Sequence, residues 1–135
     1  MDYVSVDAYY PLLTPTNTPT VQELLDAWAP IVWYLESIAV AQNKSIAFTE
    51  VGYCSSLNAT LEPAHCSGAV YQDNQVNAYE ALFETFFSQP WFMGLHLWAW
   101  VTDPTNGGLQ DAGYTPHNKP ASQVMQKWLI DSASK

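Results

Sequence analysis

Three segments of the sequence alternate apolar residues with polar or aromatic ones and carry side chains that could do chemistry. Ser5, Asp7 and Tyr9 lie along the first segment, Glu50 in the second and His96 in the third. Parallel strands buried on both faces are nearly all apolar, so polar residues on one face need another reason. The interior of a barrel near its catalytic mouth would provide one, and a solvent-exposed sheet surface is the alternative. The residues at the three predicted strand ends are Tyr9 and Tyr10, Glu50 and Tyr53, and Trp98 and Trp100.

Most other reactive side chains have a structural explanation. His65 and His117 lie in loop-like segments and Lys119 precedes a proline, so we expect all three at the surface. His96 is expected to be a buried histidine with satisfied hydrogen bonds. The sequence has no Gly-rich phosphate loop, HExxH or GxSxG motif, and its two cysteines lack CxxC spacing, so no metal or cofactor is expected. Three tryptophans on predicted helices are assigned to the core: Trp28, Trp33 and Trp128.

An alternation of strands and helices positions these residues. Period-two alternation predicts strands over residues 3–10, 45–53 and 92–101. Helical spacing of apolar residues predicts helices that end near Gln42, that cover residues 74–89, and that begin at Pro120. Thr20 and Glu23 form a predicted capping box at the start of the first helix. Pro30 lies inside that helix and is expected to kink or break it.

The repeated order of strand and helix predicts an α/β fold with a parallel sheet. The strands start roughly 45 residues apart, and the long loops follow strands. In such folds, functional sites lie at the carboxyl ends of the strands. Strict alternation predicts that Glu50 shares a face with Ile46 and Phe48.

Composition excludes several classes of function. The chain has 135 residues, enough for about one domain. Its net charge is −9, and its only Lys or Arg residues are four lysines. Four cations cannot form a basic surface, so nucleic-acid and anionic-membrane partners are not expected. The apolar fraction of 48% excludes a disordered acidic tail. No uninterrupted apolar run reaches about 18 residues, so no membrane span is predicted.

Two cysteines, Cys54 and Cys66, flank a short loop rich in Asn, Pro and Ser. A disulfide between them would suit an extracellular protein, and two separate thiols are the alternative. Two glycosylation sequons, at Asn43 and Asn58, agree with secretion, although sequons also occur by chance.

Motifs in all three units resemble a known family. The segments DAYYPL at residues 7–12, TEVGY at residues 49–53 and PWFMGLHLWAW at residues 90–100 resemble strands six, seven and eight of clan A (β/α)8 glycoside hydrolases. The nearest resemblance is to glycoside hydrolase family 113, the β-mannanases, and the tail at residues 113–121 looks like that family's last loop. The resemblance implies an incomplete TIM barrel, with residues 1–135 as one partial domain holding its C-terminal three βα units.

The resemblance also implies a retaining mechanism, and the cysteines and sequons lead us to expect that the full-length parent protein is secreted. Such a mechanism uses a carboxylate nucleophile and a second carboxyl group about 5–5.5 Å away. Glu50 matches the nucleophile of strand seven, and Tyr9 matches the tyrosine that orients it. An aromatic ring stacks on the C–H face of a sugar, and Trp98 matches the family's sugar floor. The implied substrate-binding residues are Trp98, Trp100, Tyr10 and Tyr53.

The sequence departs from the family pattern in one large respect. The family's acid/base glutamate follows an asparagine at the end of strand four, and this sequence has no Asn-Glu dipeptide and no arginine. We therefore expect the isolated chain to be poorly stable and inactive, with the missing N-terminal half of the barrel as its partner. Three interpretations remain: a C-terminal fragment of a glycosidase for β-linked polysaccharide, a non-catalytic carbohydrate-binding remnant, or an unrelated small α/β module.

Overall fold

The structure, a computed structural model, describes residues 2–131 and confirms three parallel βα units. Each predicted strand and helix is present. The first, second and third strands end three, two and four residues earlier, respectively, than the alternation predicts. The elements are β1 (Tyr3–Asp7), α1 (Val21–Gln42), β2 (Ser45–Val51), α2 (Gln72–Phe86), β3 (Phe92–Leu97), α3 (Ala121–Met125) and a π-helical segment (Gln126–Asp131).

The sheet has the order β1-β2-β3, and both strand pairs are parallel. In the described part of the chain, β1 and β3 each pair with β2 alone, so both outer edges of the sheet are open. The core lies between one sheet face and the long helices. Phe48 of β2 packs 4.7 Å from Phe86 of α2 and 5.0 Å from Phe92 of β3, measured between ring centroids. Phe86 in turn contacts Trp28 of α1 at 4.9 Å.

The opposite face of the sheet is exposed. Ser5 and Asp7 of β1 and Met93 and His96 of β3 are exposed on this face. The prediction of a buried His96 was therefore wrong, because the two long helices cover only the other face.

Helix α1 begins with the predicted capping box. The Thr20 side chain accepts from the Glu23 backbone N–H, and the Glu23 carboxylate accepts from the Thr20 backbone N–H at 2.8 Å. The helix continues through Pro30, so the predicted break does not occur there. Pro30 is exposed, so its ring and the interrupted hydrogen bond face solvent while buried residues on both sides keep the helix on the sheet.

The assignment of all helical tryptophans to the core was wrong for Trp33. Trp28 is fully buried, but Trp33 is 72% exposed because five residues of helix turn it to the opposite side of α1. By length and mean hydropathy, α1 would also be able to cross a membrane. Leu24, Trp28 and Leu35 pack in the core, whereas Trp33, Tyr34 and Val40 are exposed on its other side.

A long loop connects β2 to α2, and the Cys54–Cys66 disulfide closes it. The buried Asn74 at the start of α2 holds this loop to the one before α1. Its side-chain amide donates to the backbone carbonyls of Asn17, Ser56 and Leu57.

Candidate functional site

Tyr9 and Glu50 meet at the carboxyl edge of the sheet. The Tyr9 hydroxyl donates to Glu50 Oε2 over 3.2 Å, and the Ala8 backbone N–H donates to the Glu50 carbonyl at 2.7 Å. Burial, and then the hydrogen bond and charge of Glu50, raise the pKa of the Tyr9 hydroxyl far above its ordinary value. The hydroxyl therefore stays protonated at neutral pH and remains a donor to the carboxylate.

An irregularity in β2 turns Glu50 toward Tyr9. Phe48 and Val51 both lie fully buried in the core, although strict alternation would place them on opposite faces. The register with both neighbouring strands shifts within this segment, which is the signature of a β-bulge. Thr49 and Glu50 thus both leave the core face, and Thr49 donates to Asp7 Oδ1 at 2.8 Å. The prediction that Glu50 shares the face of Phe48 was wrong for this reason.

The chain after β3 crosses the end of β2 and brings the backbone of Trp98 against Val51 and Gly52, the two residues that follow Glu50. The Trp98 backbone N–H donates to the Val51 carbonyl at 2.8 Å, and the Trp98 side chain is 49% exposed. The crossing depends on Gly52, where an added Cβ would overlap the carbonyl oxygen of Trp98. Gly52 is therefore required for close backbone approach.

Trp100 also presents an exposed aromatic surface, beside Met125 and Leu129 of the last helical segments. Its side chain is 47% exposed, and its ring centroid lies 4.6 Å from that of His117. Among the aromatic residues predicted to bind substrate, Trp98 and Trp100 are the two whose rings are open to a ligand.

Tyr53 and Tyr10 occupy other places than predicted. Tyr53 is fully buried and packs 5.5 Å from Tyr79, so its ring is not available to a substrate. Tyr10 is half-buried and packs edge-to-face on Trp28 of α1, on the helix side of the sheet. Tyr10 lies one residue after Tyr9 and therefore points to the opposite face of the sheet. For Tyr53, the bulge in β2 reverses the face that strict alternation predicts.

Sequence reasoning missed two residues of the last loop, Tyr114 and Lys119. Tyr114 lies against Gly52, and its proximity contributes to the raised pKa of Tyr9. Lys119 was expected at the surface but is only 3% exposed. A lysine next to a proline in a Gly- and Asn-rich loop gives no sequence signal of burial, since long-range contacts alone create its environment.

Comparisons with known proteins identify a family and a fold for this chain. The model of Glycoside Hydrolase Family 113 matches residues 1–119. A search of curated proteins finds no match to the chain.

Solved structures similar to this chain include three glycosidases. A family 113 β-mannanase from Alicyclobacillus acidocaldarius, in complex with ManMIm, is 31% identical with a TM-score of 0.73. A family 113 β-1,4-mannanase is 24% identical with a TM-score of 0.77. Each similarity covers 95% of this chain and 38% of the other chain. A family 5 mannosidase from Rhizomucor miehei, 17% identical over 99% of this chain and 38% of its own, shares the fold with a TM-score of 0.61. The chain thus spans well under half the length of these mannanases.

Proposed function

The chain belongs to glycoside hydrolase family 113, and on that premise we propose that it supplies the nucleophile side of a retaining glycosidase for β-linked polysaccharide, with β-mannan as substrate. Glu50 is the nucleophile, Tyr9 orients it, and Trp98 and Trp100 bind the sugar. A family 113 structure with a mannose-type ligand supports a carbohydrate substrate. The disulfide supports a secreted protein.

The observation that carries this proposal is the hydrogen bond from Tyr9 to Glu50, at a sheet edge where the backbone of the exposed Trp98 bonds to Val51, the residue after Glu50. A nucleophilic carboxylate must stay ionised and point at the anomeric carbon. The bulge in β2 and the Tyr9 hydroxyl together fix the direction of the Glu50 side chain. Trp98, half-exposed on the segment whose backbone bonds to Val51, offers an aromatic stacking surface for the sugar.

The reaction has two steps, and Glu50 serves the first as nucleophile. A Glu50 carboxylate oxygen attacks the anomeric carbon, and the bond to the leaving oxygen breaks with its electron pair going to that oxygen. An ordinary sugar leaving group needs a proton at this moment, and general acids contribute roughly 10²–10⁴-fold to such steps. We propose that the other part of the barrel supplies this acid, and that it also covers the open sheet edges and the exposed sheet face.

A substrate whose leaving group needs no proton tests the nucleophile separately from the acid. We expect the purified chain to react with 2,4-dinitrophenyl 2-deoxy-2-fluoro-β-mannoside and to form a covalent adduct at Glu50. The fluorine slows hydrolysis of the adduct, so intact mass and peptide mapping detect it. The same chain should release no reducing sugar from mannan.

The test has a second arm in which the barrel is complete. A chimera joins the part of the Alicyclobacillus acidocaldarius mannanase outside its matched 38% to residues 1–135 of this chain. Turnover of mannan by the chimera, with the adduct at Glu50, supports the proposal. An absence of adduct in both proteins would contradict it, and binding of manno-oligosaccharide without any adduct would indicate the carbohydrate-binding remnant instead. Turnover of mannan by the isolated chain would contradict the need for an acid from elsewhere.

Tyr9→Phe is expected to slow adduct formation without abolishing it. A hydrogen bond to a charged group contributes about 1.5–3 kcal/mol, so the rate should fall roughly 10- to 100-fold. Because the pKa of Tyr9 is raised, its hydroxyl keeps its proton above pH 10, and the wild-type rate should not fall there through its ionisation. Tyr34→Phe, at an exposed position of α1, serves as the control and should leave the rate unchanged. Equal rates in wild type and Tyr9→Phe would remove Tyr9 from the proposed site.

A further inference from the structure

The side chain of Lys119 is completely buried and donates three hydrogen bonds. Its Nζ contacts Asp111 Oδ1 at 2.6 Å, the Gly113 carbonyl at 2.8 Å and Ser55 Oγ at 2.9 Å. A lysine ammonium has three N–H groups, so each of them has an acceptor. Burying a charge is costly unless it is paired and fully hydrogen-bonded, and this one is both. We refer to these four residues as the Lys119 cluster.

The Lys119 cluster joins two loops that are far apart in the sequence. Ser55 belongs to the disulfide loop after β2, whereas Asp111 and Gly113 belong to the loop after β3. Ser55 also donates its hydroxyl proton to the Asp111 carbonyl at 2.6 Å. The side-chain amide of the buried Gln75 adds a parallel connection, because it donates to the carbonyls of Tyr53 and Tyr114 at 2.9 and 2.8 Å.

Two residues of the last loop, both between its anchor points Gly113 and Lys119, contact residues of the candidate site. Tyr114 directly follows Gly113, lies against Gly52, and donates its hydroxyl proton to the Pro63 carbonyl at 2.8 Å. His117, two residues before Lys119, packs its ring against Trp100. The fixed position of the loop thus determines where Tyr114 borders the Tyr9–Glu50 pair and where His117 contacts Trp100.

We propose that Lys119 is a positioning residue that fixes the last loop on the disulfide loop, so that Tyr114 borders Tyr9, the partner of Glu50, and His117 supports the Trp100 ring. This inference rests on the proposed function for its effect on Glu50, but not for its effect on the His117–Trp100 contact. Lys119 acts through these neighbours and makes no contact with substrate.

Lys119→Met tests this role, because methionine fills the space and removes all three hydrogen bonds. Lys127→Met is the matched control, since Lys127 is an exposed lysine paired with Glu80 at the protein surface. Two measurements are needed: the NMR shifts of the His117 ring protons, which the Trp100 ring displaces, and the rate of adduct formation at Glu50. We expect Lys119→Met to shift the His117 protons toward their random-coil values and to slow the adduct roughly 10²-fold, the scale of a misplaced site.

A purely structural role would give a different result. Lys119→Met would then lower the unfolding temperature while the folded molecules kept wild-type His117 shifts and adduct rate, and that outcome would overturn the inference. Should Lys119→Met fail to fold, Ser55→Ala removes one of the three bonds and must change the His117 shifts in the same direction. If wild type forms no adduct, the proposed function fails, whereas the His117 shifts still decide whether Lys119 positions the loop.

Discussion

Glu50→Ala will not form the covalent adduct, and azide will restore cleavage of an activated β-mannoside by this variant. Removal of a covalent nucleophile costs roughly 10⁴-fold or more in rate, so the adduct should fall below detection. The shorter side chain leaves space beside the anomeric carbon on the face from which Glu50 attacks. Azide enters there, its nitrogen bonds to that carbon, and dinitrophenolate leaves with the bonding electron pair. The product is therefore α-mannosyl azide, which NMR distinguishes from the β form.

Two variants control this experiment. Glu50→Gln keeps the volume of the side chain, so it should lose the adduct without being rescued by azide. Glu36→Ala removes a carboxylate from the exposed side of α1 and should behave as wild type. An adduct that persists in Glu50→Ala would assign the nucleophile to another residue, and a β-configured azide product would place Glu50 on the wrong side of the sugar.

Gly52→Ala should destabilise the protein and displace Trp98. The added methyl group would occupy the space of the Trp98 carbonyl oxygen, and because that atom belongs to the backbone it cannot move away as the end of a flexible side chain could. Overpacking costs about 1–3 kcal/mol in general and more where backbone must shift. We expect a loss of about 3 kcal/mol in the free energy of unfolding, measured in urea, together with slower adduct formation because the segment that carries Trp98 is displaced from the end of β2.

Gly68→Ala separates lost stability from lost positioning. Gly68 has a positive φ of 86°, so alanine is strained there by about 1–2 kcal/mol, but its neighbours are Leu57 and Asn58 of the disulfide loop. This variant should unfold at lower urea yet form the adduct at the wild-type rate at temperatures where it is folded. If Gly52→Ala retained both wild-type stability and adduct rate, the close approach of Trp98 to Gly52 would not be a requirement of the fold.

The sequence was most informative where local patterns decide the structure. The capping box of Thr20 and Glu23, the three parallel βα units and the position of Glu50 at a strand end all follow from short-range spacing. Such signals survive folding because tertiary contacts add to the local preference. The resemblance to glycoside hydrolases rested on the same strand ends.

Features that depend on distant contacts were not predictable. The bulge at Thr49 and Glu50 arises from register with both neighbouring strands, and it overrides the alternation from which the faces were predicted. The environment of Lys119 is created by Ser55, 64 residues away. Trp33 is the opposite of Lys119: it is an apolar residue that is exposed. Its residue type and its place on a helix give no sign that it faces solvent.

The two open edges of the sheet have a consequence for how the isolated chain behaves at high concentration. In the part of the chain that the structure describes, the outer sides of β1 and β3 present rows of unpaired backbone N–H and C=O groups. These groups can pair equally with another strand of a barrel or with a strand of a second molecule. Molecules of the chain can therefore add to one another edge to edge, and the resulting assembly regenerates an open edge with each addition. In the complete barrel that we propose, no open edge would remain, so barrel completion would protect the protein against polymerisation in addition to any effect on catalysis.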